Sequence, residues 1–232
     1  MKTKNILTFL LLIFISFGYS QKKELRNANK FYDSGEYLSA LDLLETSKSL
    51  FDSSDDKIKS QVMLLYGKIY TSTEDFELAI KSFNNSRELG ANENDLNSEI
   101  NKLETAIITS AIADNESENF SDAAKKLKIV YDINPENNAL YLYYAASSAV
   151  NSNDLSLALE YYLILRDIKY EGIETKYYIT DISNETEIEI SSETEFNLLK
   201  KSKDYSNPRE EETESKFPEI VKNIAIIYKQ LG

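Results

Sequence analysis

The side chains able to do chemistry in this chain are carboxylates, hydroxyls and amines, because its 232 residues include no His and no Cys. This composition excludes Ser/His/Asp triads, Cys/His nucleophile pairs, disulfides and metal centres built on thiolates or imidazoles. The six glycines are never closer than 17 positions, which also excludes the Gly-rich loops that hold nucleotide phosphates. Paired carboxylates can hydrolyse glycosides, but no pair stands out among the 39 acidic residues. We therefore expect a protein that is not an enzyme, with no catalytic residues and no cofactor.

Acidic residues form three short clusters that are candidates for binding a hard cation. They are Asp55-Asp56, Asp114-Asn115-Glu116 and Glu210-Glu211-Glu212. None has the alternating acidic spacing and the central Gly of a calcium-binding loop, so we interpret them as solvated loops without a metal. The chain carries a net charge of −13. Such an excess of acid repels phosphate backbones and argues against nucleic acid as a partner.

The first 20 residues have the three-part pattern of a secretory signal peptide. Lys2 and Lys4 precede the apolar run from Ile6 to Phe17, and Gly18-Tyr19-Ser20 supplies small residues before a cleavage point. The apolar run is well short of the ~20 residues that a membrane-spanning helix needs, so an uncleaved anchor is the weaker alternative. We expect cleavage after Ser20, export to the periplasm or the extracellular space of the cell envelope, and no stable membrane span in the product.

Apolar residues then recur three and four positions apart over long stretches, which is typical of amphipathic helices. A small residue repeats within these helices, with bulky residues three positions before it and four after it. These anchors are Ala40, Ala79, Ala123 and Ala158, separated by 39, 44 and 35 residues. A second small residue marks the helix before each anchor and the last helix of the chain: Ala28, Gly67, Ala111, Ala146 and Ala225. The intervals predict one helical hairpin per repeat, with four hairpins over residues 21–170.

This pattern resembles the tetratricopeptide repeat (TPR) family. The second unit matches best, with Leu65-Tyr66-Gly67-Lys68-Ile69-Tyr70 followed by Phe76, Ala79 and Phe83, and the third ends on Asp132-Ile133-Asn134-Pro135. The opening Trp is absent, and Asp114 and Ala149 depart from the pattern. The resemblance implies an all-α fold, a right-handed superhelix of antiparallel helical hairpins. At this helical spacing we assign the following residues to the core: Tyr66, Tyr70, Phe76, Phe83, Phe120, Leu127, Tyr131 and Tyr162.

Residues 171–217 interrupt the helical pattern with an acidic insert of 13 acidic and 6 basic side chains, a net charge of −7. Residues 176–181 and 187–190 alternate or carry β-branched and aromatic side chains, which predicts a small β-hairpin. Ser192 and Glu195 resemble a capping box and predict a short helix through Lys203. We expect residues 205–216 to form a polar loop. The insert, with the segment that follows it, resembles uncharacterised exported TPR proteins of Bacteroidota.

The segment 218–232 is predicted to be the first helix of a further, incomplete repeat, with Pro218 at its first position and Ala225 and Tyr228 as its anchor pair. Terminal repeats need a polar outer face, yet this helix carries Ile220, Val221, Ile224, Ile226 and Ile227. The sequence therefore indicates either a fragment of a longer array or a face buried by self-association.

The resemblance also implies a concave surface lined by the first helix of each hairpin. Carried over position by position, its partner-binding residues are Asn29, Tyr32, Lys68, Thr71, Ile112, Asn115, Tyr143 and Ser147. Some family members clamp a carboxylate with basic and Asn residues. Asn29 and Lys68 fit that pattern, but Leu25, Leu64, Ile108 and Ile112 occupy other clamp positions.

The sequence does not distinguish between two possible functions. The first is an exported scaffold that mediates protein–protein interaction by holding a protein or peptide on its concave surface. The second is a structural assembly subunit that associates through its terminal helix and insert, without a distinct ligand in the groove.

Overall fold

The computed structural model describes residues 20–232, which are mostly helical and include one small antiparallel sheet. The helices are α1 (20–33), α2 (Tyr37–Thr46), α3 (Lys48–Asp52), α4 (Asp56–Ser72), α5 (Phe76–Glu88), α6 (Glu93–Glu116), α7 (Phe120–Ile133), α8 (Ala139–Asn151), α9 (Leu155–Asp167), α10 (Glu193–Leu199) and α11 (Phe217–Leu231). The strands are β1 (Thr175–Asp181), β2 (Thr186–Ile190) and β3 (Tyr205–Glu212). These elements fall into two compact units that divide within α6, unit 1 ending at Ala113 and unit 2 beginning at Asp114.

One turn is shared by the connections from α1 to α2, α4 to α5, α6 to α7 and α8 to α9, and it recurs at Gly90 between α5 and α6. In each, one residue adopts the left-handed conformation, and the N–H of the next residue donates to the carbonyl five positions earlier. In the first four connections, the left-handed residues are Gly35, Glu74, Glu118 and Asn153, with φ between 60 and 78°. The carbonyls belong to Phe31, Tyr70, Asp114 and Ala149, at 2.8 to 3.0 Å. The four connections within the predicted hairpins are therefore built alike, although only one of those four uses glycine.

The core of unit 1 forms where the small anchors let helices approach closely. Ala28 and Ala40 are completely buried beside Leu44, Phe51 and Ile69. Between α4 and α5, Gly67 lies against the ring of Phe83. The hydroxyls of Ser60 and Ser86 each donate to the other residue's carbonyl, at 3.0 and 2.8 Å, so the polar groups at this crossing are satisfied.

Unit 2 contains α7, α8 and α9, with α11 packed against α9. The anchors Ala123, Ala146 and Ala158 are fully buried, as are Ala145 and Ala149 on α8. The packing prediction for the four hairpin anchors is thus confirmed.

The prediction for the last helix was wrong about its face. Ile220, Ile224 and Ile227 of α11 are buried, whereas Ala225 is exposed and Tyr228 is 53% exposed. The helix buries its isoleucine stripe because three branched apolar side chains remove far more surface from water than one alanine does.

The sheet has the strand order β2-β1-β3, so the predicted hairpin is extended by a third strand. The prediction of a polar loop after α10 was wrong, because residues 205–212 pair with β1. A bulge places Asn207 and Pro208 opposite Ile179, with Asn207 left-handed at φ 49°. One sheet face packs Ile179 and Ile190 against Phe196 of α10. That helix begins at the predicted Ser192 cap but ends at Leu199, four residues before the predicted end.

The predicted signal peptide, residues 1–20, lies outside the described residues except for Ser20. Within residues 20–232, every helix is too short or too polar to cross a membrane.

Candidate binding groove

A groove with a volume of about 640 Å³ runs between α1 and α4 of unit 1. Each helix presents a stripe of polar side chains to it, at the three- and four-residue spacing of one helical face. From α1 these are Lys22, Arg26 and Asn29, and from α4 they are Lys57, Gln61 and Lys68. Leu25, Ile58, Leu64 and Leu65 supply apolar lining. The groove therefore combines an apolar floor with hydrogen-bond donors and positive charge.

The groove is basic although the chain as a whole is strongly acidic. Four of its side chains are cationic, namely Lys22, Arg26, Lys57 and Lys68, and only Asp55 is anionic. The Asp55 carboxylate accepts from the N–H of Ile58 at 2.8 Å and so caps α4. Within residues 20–232, the Lys22, Arg26 and Lys57 side chains have no ion-pair partner. Their charge is available to a ligand.

Two of the predicted partner-binding residues, Asn29 and Lys68, line this groove, and a third, Tyr32, contacts Lys68 beside it. The Lys68 ammonium lies 4.4 Å from the ring centre of Tyr32, a cation–π contact. Tyr32 also packs at a tilt against Tyr37, with 5.5 Å between ring centres. The Asn29 amide donates to the carbonyl of Leu25 at 2.9 Å, which orients its side chain. These contacts orient the side chains of Tyr32, Lys68 and Asn29.

Two other predicted partner-binding residues of unit 1, Thr71 and Ile112, lie outside the groove. The Thr71 hydroxyl donates to the Gly67 carbonyl at 2.8 Å, so it is used within α4. Ile112 lies on α6 and is 51% exposed. Neither residue lines the groove between α1 and α4.

The remaining predicted residues lie in unit 2 and bond mainly within it. Asn115 accepts from the Ser148 hydroxyl at 2.9 Å, and Ser147 donates to the Tyr143 carbonyl at 3.2 Å. The Tyr143 hydroxyl donates to Glu219 of α11 at 2.9 Å. Burial and this hydrogen bond raise the pKa of Tyr143 above its usual value. These contacts give Asn115 and Tyr143 a structural role in unit 2.

No protein-family model matches the chain, and no curated protein matches it in sequence.

A second cavity in unit 1, of about 350 Å³, lies among α2, α3, α4 and α5. Tyr66 and Tyr70 line it as a stacked pair with 5.9 Å between ring centres. The Tyr66 hydroxyl donates to Glu45 at 2.8 Å. Burial, followed by that hydrogen bond, raises the pKa of Tyr66 above its usual value of 10.0.

The acidic clusters do not form a cation site among the described residues, where no group of three or more acidic side chains is arranged to hold a metal ion. Asp114 pairs with Lys126 at 2.6 Å, and Asn115 bonds to Ser148. Glu211 pairs with Arg209, also at 2.6 Å.

The cations Lys22, Arg26 and Lys57 were missed from the sequence. Their signal is present, since residues 22, 26 and 29 of α1 and residues 57, 61, 64 and 68 of α4 each fall on one helical face. It was obscured because the resemblance to TPR proteins directed attention to positions beside the small anchors, which lie further along each helix.

Proposed function

We propose that this chain is an exported TPR-like scaffold that binds a protein or peptide partner through the inner face of its hairpins. The observation that carries the proposal is the groove between α1 and α4, where cations and amides surround an apolar floor and one of the cations, Lys68, packs on the ring of Tyr32. Such a lining suits an extended segment or a helix whose acidic groups pair with the lysines.

The TPR-like superhelix is part of this proposal. It is supported by the four connections of identical hydrogen bonding and by the buried small residue at each helix crossing. In such a superhelix the first helices of successive hairpins line one surface, and α1 and α4 are the first helices of their hairpins.

We propose binding rather than catalysis because of the kinds of side chain that the groove offers. Lysine, arginine, Asn and Gln side chains donate hydrogen bonds and attract carboxylates. Asp55, the one carboxylate of the groove, already accepts from the backbone at the start of α4. The lining is thus equipped to hold a ligand.

Export is proposed from the leader pattern of residues 1–20. The test is mass spectrometry of the protein recovered from the cell envelope or the medium of expressing cells. A mature N-terminus at Gln21 is expected, and protein that retains residues 1–20 would contradict the proposal.

The binding proposal is tested by crosslinking in cells followed by pull-down of residues 21–232. We compare the unmodified chain with Tyr32→Ala plus Lys68→Ala, which removes the cation–π pair. The matched control is Tyr228→Ala plus Lys229→Ala, an exposed Tyr/Lys pair on α11. Circular dichroism verifies that all three chains keep the same helicity.

We expect the groove variant to lose at least one partner that the unmodified chain and the α11 variant both capture. Capture of the same partners by the folded groove variant would refute the groove as the binding surface.

The alternative function, a structural assembly subunit, is favoured by a different observation. α11 leaves Val221, Ile226, Tyr228 and Leu231 exposed, each by more than 40%. The same experiment separates the two functions, because loss of capture in the α11 variant alone would favour assembly through the terminal helix.

A further inference from the structure

The groove between α1 and α4 carries a charge opposite to that of the insert in the same chain. Its lining has four cations and one carboxylate, whereas residues 171–217 carry 13 acidic and 6 basic side chains. Charge complementarity of this kind steers association and sets the register of an interface.

Within the insert, a row of exposed carboxylates lies at the end of β3 and just after it. This strand lies at the edge of the sheet, because β1 pairs with β2 on one side and with β3 on the other. Six of its eight residues are exposed. Glu210, Glu212 and Glu214 have no ion-pair partner within residues 20–232. Arg209, in contrast, is occupied by Glu187 and Glu211.

The lengths of the two charged rows also agree. Lys57 and Lys68 are eleven residues apart on α4, which corresponds to ~16 Å along a helix axis. Glu210 and Glu214 are four residues apart, which corresponds to at most ~13 Å for a strand. Three carboxylates along this segment can therefore lie beside the row of groove cations without bending either element.

We propose that the groove between α1 and α4 binds residues 210–214, the acidic end of β3 and the two residues after it, of a second copy of this chain. The inference rests on the proposed function, since it names an occupant for the same groove. The contact is heterologous, because the two surfaces that meet are different, so each copy has a free groove or a free strand for the next copy. Self-association then proceeds head to tail, and it weakens with salt, because the paired side chains are exposed.

The test is a charge-swap experiment followed by sedimentation velocity on residues 21–232. The groove variant is Lys22→Glu plus Lys57→Glu, and the strand variant is Glu210→Lys plus Glu212→Lys. The control is Lys81→Glu plus Lys125→Glu, two exposed lysines outside the groove. Circular dichroism verifies that every variant keeps the unmodified helix content.

The measurement is made at low salt and at about 100 µM protein, a concentration that populates a complex with a micromolar Kd. Under these conditions we expect the unmodified chain and the control to sediment as dimers or larger species. Each swap variant alone is expected to be monomeric. An equimolar mixture of the two should associate again, because the unchanged groove of the strand variant can bind the unchanged β3 segment of the groove variant, and the two altered surfaces also carry opposite charges. Raising NaCl from about 0.05 M to about 0.5 M should dissociate the unmodified assembly.

A monomeric unmodified chain at low salt would overturn the proposal, and so would a mixture of the two variants that stays monomeric. Equal dissociation by the control would also overturn it, since the effect would then be one of net charge. If the unmodified chain is monomeric, and Tyr32→Ala plus Lys68→Ala still abolishes capture of a partner in the pull-down, the self-association proposal is overturned. The proposed function is then unaffected. Association that survives in the strand variant and fails only in the groove variant would assign the groove to an occupant other than β3.

Discussion

Substituting Gly67 by alanine tests whether the small residue between α4 and α5 sets the approach of these helices. Gly67 is buried in α4, and a Cβ placed there would meet the ring of Phe83, whose Cζ would lie 2.8 Å away with two other ring carbons closer still. Nonbonded carbon atoms pack at roughly 3.5–4.0 Å. The ring or the whole of α5 would therefore have to move by about 1 Å.

Two opposing contributions set the magnitude of the effect. Alanine gains about 1 kcal/mol over glycine inside a helix. Overpacking a filled core loses about 1–3 kcal/mol, and the upper part of that range applies because Phe83 is only 1% exposed. We expect a net loss of about 1–2 kcal/mol, equivalent to a fall in Tm of about 2–8 °C for a chain of this size.

Thermal and urea unfolding followed by circular dichroism measure this loss, and two further variants separate its causes. Gly90→Ala introduces backbone strain at φ +83° without any atom within 4 Å, so it reports strain without a clash. Phe83→Leu removes the ring that the new methyl group meets. It should destabilise the Gly67→Ala chain less than the unmodified chain, because the two residues are coupled. A Gly67→Ala chain as stable as the unmodified one, or additive effects of the two substitutions, would refute the reasoning.

Substitutions at Ser86, Glu118 and Tyr66 test other features of the fold. Ser86→Ala removes the hydroxyl that donates to the Ser60 carbonyl and should lower the free energy of unfolding by about 1 kcal/mol; an unchanged urea midpoint would contradict it. Glu118→Gly relieves a left-handed residue at φ 62° and should stabilise by about 1 kcal/mol, whereas a lower Tm would show that its side chain matters more than its backbone. The pKa of Tyr66 is raised in the folded state, by burial first and then by the hydrogen bond to Glu45. The unfolded chain therefore loses the Tyr66 proton at a lower pH than the folded chain does. This contribution to stability is complete below pH 10 and is lost as the pH rises further, so the unmodified chain should lose more Tm than Tyr66→Phe between about pH 9 and about pH 11. Parallel curves for the two chains would contradict that assignment.

Sequence reasoning located the helix crossings because a crossing needs a small residue at a defined spacing. Ala40, Ala79 and Ala158 stand out for that reason, and all are fully buried. It did not identify Glu74 and Glu118 as left-handed residues, because glutamate has no preference for that conformation. The helices on either side impose it.

The wrong and missing predictions have a common physical cause. A local sequence pattern allows more than one structure, and contacts with distant parts of the chain select among them. Residues 205–212 look like a loop, since Pro208 and three glutamates disfavour strands, yet β1 pairs with them across a bulge. Ala225 fits the anchor spacing, but α9 covers the isoleucine face of α11 instead. At the groove, the Tyr32–Lys68 pair follows from the repeat, whereas the cations along α1 and the start of α4 need the structure to bring two stripes together.

The central claim is that a partner binds between α1 and α4, and site-specific photocrosslinking tests it most directly. A photoreactive residue replaces Gln61, which is exposed within the groove, and in a control chain it replaces Lys125, which is exposed on α7. In cells that express either chain, the account predicts a discrete crosslinked product from position 61 and none from position 125. The same products from both positions, or a product from position 125 alone, would contradict it.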